Sequence, residues 1–153
     1  MSARMTNPAT ILPEAVKAIP HLLGGIEQGG VSTTLRELIS LRVSQINGCA
    51  ACVYGHIDAL RKEEESNDRI DTLAVWRESP FFTDSERAAL NLAEAATRLA
   101  DSPGAAVPND VWDEAADHFD EKELAGIILA IATINFFNRI NVTIQEPAGT
   151  TWS

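Results

Sequence analysis

"TLRELISLRVSQINGCAACVYGH", residues 34–56, decides the fold. Leu35, Leu38, Leu41 and Ile46 recur at helical spacing, which gives residues 34–46 one apolar side. Asn47-Gly48 then interrupts the pattern with a turn signal. A second helical stretch runs from about Cys49 to Glu64 and dissolves into the charged run "RKEEESNDR", read as a solvated helix end and loop. Two helices joined by so short a turn fold back on each other as an antiparallel pair.

The same periodicity extends in both directions. Residues 8–28 form a weakly amphipathic first segment containing Pro13 and Pro20, with breaks expected at the Gly-Gly pairs 24–25 and 29–30. Thr34 and Glu37 have the T-x-x-E spacing of a capping box, as do Thr83 and Glu86 at the head of a helix to about Ala100. "IDTLAVWRES" reads as a short helical piece and "DSPGAAVPN" as a loop, with Asn109 capping the helix "DVWDEAADHF". Asp120 and Glu123 open a last long helix to about Asn138, apolar almost all round, as in a central or interface helix. The tail "VTIQEPAGTTWS" is an arm. No segment repeats and none alternates at strand period. The expectation is an all-α bundle of six to seven helices, with residues 1–153 as a single domain.

Bulk properties narrow the function. A 153-residue chain of this class buries roughly 68–70% of its unfolded surface and needs neither metal nor disulfide to fold. A net charge of −10 repels phosphate backbones and anionic lipid, which argues against nucleic acid and membrane as partners. The N-terminus lacks the apolar stretch of a signal peptide. The most apolar run, "AGIILAIATINFF", falls short of the ~20 residues that span a bilayer. A cytoplasmic protein is expected, and there a close pair of cysteines points to catalysis or metal binding rather than to a structural disulfide.

Both cysteines and one of three histidines fall within "INGCAACVYGH". A structural zinc site takes four ligands, whereas here only Cys49, Cys52 and His56 converge, so a fourth would be a carboxylate or water. A c-type haem needs its histidine directly after the second cysteine, and a thioredoxin-like site needs a βαβ setting. A redox pair fits better. On a helix the three residues are spaced i, i+3, i+7 on one face, and Cα atoms three apart lie roughly 5 Å from each other, within disulfide range. Both thiols would sit in a first turn that favours an anion. His56, one turn past Cys52, can take its proton; Cys49 is expected to be the more exposed of the two thiols. Across the hairpin Glu37 lies ~15 Å below the turn and His56 ~10 Å below it, similar depths on facing helices. Glu37 can therefore either complete its capping box or hold the imidazole tautomer; spacing alone favours the cap. His21 and His118 are expected at the surface.

"ELISLRVSQINGCAACVYGH" resembles the signature of the AhpD-like alkylhydroperoxidases within the carboxymuconolactone decarboxylase superfamily. "WRES", "FTDSERAALNLAEA" and "TINFFNRINV" are also similar, so the resemblance spans nearly the whole chain. It implies an all-helical, cofactor-free and metal-free thiol peroxidase that forms homo-oligomers, trimers or hexamers. It further implies that Cys52 attacks a hydroperoxide, that His56 deprotonates it with Glu37 behind, and that Cys49 closes the disulfide. A dithiol or lipoyl-type reductant would reopen it. The alternatives are a decarboxylase-like acid–base enzyme using His56 and Glu37, and a non-catalytic redox-sensing subunit. Relatives carry a histidine between the cysteines where this chain has Ala50-Ala51. Asn135, Asn138 and Arg139 match the family pattern, with a packing or interface role.

Overall fold

The computed structural model describes residues 2–150, and every regular element among them is helical. α1 (Pro8–Ile11) and α2 (Pro13–Glu27) lead into α3 (Thr33–Asn47), α4 (Ala50–Lys62) and α5 (Asn67–Thr72). A 3-10 turn at Leu73–Glu78 follows, then α6 (Asp84–Thr97), α7 (Asn109–His118) and α8 (Glu121–Ile144). Among the described residues there are eight α-helices where six to seven were expected, because Leu12 breaks the first segment in two; the short piece expected around residues 70–79 is α5 followed by the 3-10 turn.

Local signals explain most boundaries. The boxes at Thr83/Glu86 and Asp120/Glu123 both form, each side chain bonding the other residue's backbone N–H. The box at Thr34/Glu37 does not form. Ser32 caps α3 instead, accepting from the Leu35 N–H at 3.2 Å. Pro108, not Asn109, occupies the N-cap of α7. α2 runs through Gly24-Gly25, and the chain turns only at Gly29-Gly30. α8 continues six residues past Asn138 to Ile144, because Asn141 and Ile144 are buried rather than solvated. At that length α8 is long and apolar enough to cross a membrane by composition. Its inner side packs against α2, α3, α4, α6 and α7, as the core helix of a bundle does.

α3 divides the core. Leu35, Ile39 and Val43 face Leu92 of α6 and Ile127, Ile131 and Ile134 of α8. Leu38 and Leu41, on its other side, meet Leu60, Leu73, Trp76 and Leu90. Where α2 ends against α8, Gly29 and Gly126 touch through their backbones: a Cβ on Gly29 would stand 2.7 Å from the Gly126 Cα. No side chain fits at that crossing.

Glu94 fastens α6 to the elements around it. Its Oε1 accepts from Arg42 Nε of α3 at 2.7 Å and from Trp76 Nε1 at 2.9 Å, and its Oε2 from Arg77. Burial would push this carboxyl up, but the three donors outweigh it and hold it below its ordinary value. A depressed carboxylate stabilises the fold fully above the unfolded-state value near 4.3 and loses that contribution as pH falls through the lower folded value. Glu94→Gln should therefore cost about 1–3 kcal/mol at neutral pH, and the deficit should shrink below about pH 4. Urea denaturation at the two pH values measures both.

Candidate active site

The site is built at the reversal between α3 and α4. Gly48 is left-handed (φ 67°), and its N–H bonds the Gln45 carbonyl while the Cys49 N–H bonds that of Ser44 at 3.0 Å. This is the Schellman arrangement, and glycine adopts its left-handed position without the Cβ penalty. Cys49 then opens α4 as N-cap, its sulfur accepting from the Cys52 N–H at 3.3 Å. One residue closes the first helix with its backbone and starts the second with its side chain.

Cys49 and Cys52 are joined as a disulfide, their Cα atoms 5.3 Å apart. Both are buried, at 2% and 1% exposure. The expected difference in exposure is therefore negligible, because the turn folds the Cys49 side chain inward as a cap. Ala51 between them is buried and Ala50 exposed.

Glu37 and His56 meet across the hairpin, with Oε2 2.7 Å from Nδ1. Their side chains keep 23% and 20% of their exposure, so the pair sits at the rim of the core. With Nδ1 donating to the carboxylate, Nε2 is left as the basic nitrogen. His56 follows Cys52 by one turn of α4, and no hydrogen bond joins it to either sulfur of the oxidised pair among the described residues. His21 and His118 are exposed, on α2 and α7. Among the described residues no group of three or more His, Cys, Asp or Glu side chains is arranged to hold a metal ion.

α8 fastens the reversal from behind. Asn47 Nδ2 donates to both Asn135 Oδ1 and Asn138 Oδ1 at 2.9 Å, and Asn138 Nδ2 donates to Ser44 Oγ at 3.0 Å. Arg139 donates back to Asn135. These bonds pin the turn that carries Cys49 to α8. One turn on, Asn141 Nδ2 lies 3.4 Å from Cys52 Sγ. Sequence reasoning passed over Asn141, although it continues an N-x-x-N-x-x-N ladder begun at Asn135 on an otherwise apolar helix. A cavity of about 280 Å³ opens beside this ladder, lined by Asn47, Asn138, Arg139, Val142 and Thr143.

The carboxymuconolactone decarboxylase family profile matches residues 13–95, which include Glu37, both cysteines and His56. The chain belongs to that family. Within it the fold is AhpD-like. The uncharacterized protein YdfG of Bacillus subtilis is 36% identical over 138 residues, covering 90% of this chain and 92% of its own length. A crystal structure from Agrobacterium tumefaciens, of a protein of unknown function suggested to be the antioxidant defence protein AhpD, superposes with a TM-score of 0.87. It is 36% identical and covers 98% of this chain and 100% of its own. The debrominase Bmp8 shares the fold at 20% identity and a TM-score of 0.74, over 90% of this chain and 73% of its own.

In this AhpD-like chain Glu37 is free of capping duty, so its removal tests one contact. Glu37→Gln should lower stability by no more than about 1 kcal/mol. Nitrogen NMR of the ring should show His56 as the Nδ1–H tautomer in the parent and a mixture of tautomers in Glu37→Ala.

Proposed function

We propose that this protein is a thiol-dependent peroxidase that reduces organic hydroperoxides through Cys52 and Cys49. The observation that carries the reading is the 2.7 Å pair between Glu37 of α3 and His56, which lies on the helix headed by the disulfide-forming cysteines. A carboxylate-oriented imidazole one turn from a thiol is the base-plus-orienter arrangement of an activated nucleophile.

The chemistry balances without a cofactor. His56 takes the Cys52 proton, and the thiolate attacks one oxygen of ROOH, breaking the O–O bond. The sulfur becomes a sulfenic acid, and the alkoxide leaves as ROH with the proton held by His56. Cys49 then attacks the sulfenic sulfur; the S–S bond forms and water departs with the Cys49 proton. A dithiol, free or lipoyl-type, returns two electrons and two protons by thiol–disulfide exchange. Because both sulfurs are buried, the exposed positions flanking Cys49, Gly48 and Ala50, have to give way for that exchange. A cytoplasmic setting, where dithiols are kept reduced, suits this cycle. The disulfide favours this reading over lactone decarboxylation, which uses no cysteine pair.

A homo-oligomer is part of the proposal. α2 buries only Ile26, leaving Val16, Leu22 and Leu23 exposed, and α8 exposes Ile128, Leu129 and Phe136. Apolar stripes on neighbouring helices fit a self-interface, which resembles a core cut in half. Light scattering at micromolar concentration should report more than one chain per particle; a stable monomer would count against it.

Turnover of an organic hydroperoxide with a dithiol tests the activity. Cys49→Ser should still consume about one equivalent of peroxide and trap a sulfenic acid on Cys52. Cys52→Ser should consume none at a comparable rate. Oxidation of Cys49 in that variant at the parent rate would reverse the two roles.

A further inference from the structure

Each sulfur of the pair has its own hydrogen-bond donor. Cys49 receives the backbone N–H of Cys52 at the head of α4, and Cys52 receives the side-chain amide of Asn141 from α8. Position at a helix N-terminus favours charge on Cys49. Cys52, at 1% exposure, is in surroundings that disfavour a thiolate unless a donor is supplied. Asn141 is itself 2% exposed, so its amide cannot turn to water for partners.

The direction of that amide is fixed from outside the site. The Ala9 N–H can only donate, and it bonds Asn7 Oδ1 at 3.0 Å. Asn7 Nδ2 is therefore left to donate to Asn141 Oδ1, also at 3.0 Å. Asn141 must then present Nδ2, a donor, to the Cys52 sulfur. The N-terminal segment is tied down for this task by Arg4, whose backbone N–H bonds the Ile144 carbonyl at 2.7 Å and whose guanidinium bonds that of Thr143 at 3.1 Å.

We propose that Asn141 is a catalytic residue that selects Cys52 as the thiolate of the pair, with Asn7 as the positioning residue that fixes its polarity. This rests on the reading that Cys52 is the attacking thiol. A thiolate accepts more strongly than a thiol or a disulfide sulfur, so a donor held in place stabilises the charge as it develops.

The test needs no peroxide. In the full chain carrying Cys49→Ser, the rate of Cys52 alkylation by iodoacetamide is followed against pH, and Cys49 is followed likewise in the Cys52→Ser background. Asn141→Ala should reduce the thiolate fraction of Cys52 about tenfold below its midpoint, a shift of roughly one pH unit. Cys49, which Asn141 does not touch, should titrate as before. If Asn141→Ala does not fold, Asn7→Ala decides. Asn7 is only half-buried and caps a four-residue helix, and its loss should reduce the Cys52 thiolate fraction roughly threefold without adding charge. An unchanged Cys52 profile in a folded variant overturns the proposal, and so does an equal shift of both thiols, which marks a general loosening. If the Cys52 shift appears but no peroxide is turned over, the selection stands and the peroxidase reading fails. Turnover with no Cys52 shift is the reverse.

Discussion

A left-handed glycine between two helices is the constraint on which the active end depends. Gly48 (φ 67°) lets α3 stop and α4 start within two residues, so the chain returns along itself at once. This tight reversal brings residue 37 level with residue 56, and the cysteine directly after it closes one helix with its backbone N–H and caps the next with its sulfur. One residue inserted into α4 between Cys52 and His56 would rotate His56 by about 100° relative to the cysteines and carry the imidazole away from its carboxylate. Asn47, held by two asparagines of α8, keeps that turn from being a loose end.

Much of this was legible because the signals were local. The Thr83 and Asp120 boxes involve groups a single turn apart, and their helices begin where the residues say they should. The hairpin followed from apolar periodicity and Asn-Gly. The box at Thr34 had the same spacing and misled. "STT" offers three capping hydroxyls in a row, and Ser32 prevails. The Glu37 carboxylate, once spared, gains a short contact with an imidazole that a rim-exposed backbone N–H, easily served by water, does not match. That choice depends on a residue nineteen positions away, which no local pattern encodes.

The exposure of the thiols and the length of α8 were misjudged for a related reason. The apolar run of the last helix gives way at Asn138 to a stretch that also holds Arg139 and Asn141, and polar residues near a helix end usually mean solvent. Two of those three side chains are buried, and their partners lie on α3, on α4 and in the N-terminal segment. Asparagine inside a core is affordable only when all its polar atoms are matched, and here the matching atoms belong to the reversal and to Cys52.

The sulfur environment of Cys52 is assembled from the two extremes of the chain, and biosynthesis is directional. Asn7 leaves the ribosome first and the cysteines follow, but Asn141 emerges 89 residues after Cys52. At about 5–20 residues per second that interval is roughly 4–18 seconds. Through it the nascent chain carries a cysteine pair without the amide that reaches Cys52 in the folded protein. Under the proposal made for Asn141, the two cysteines become an unequal pair only when α8 docks, so the distinction between them is a product of the completed fold.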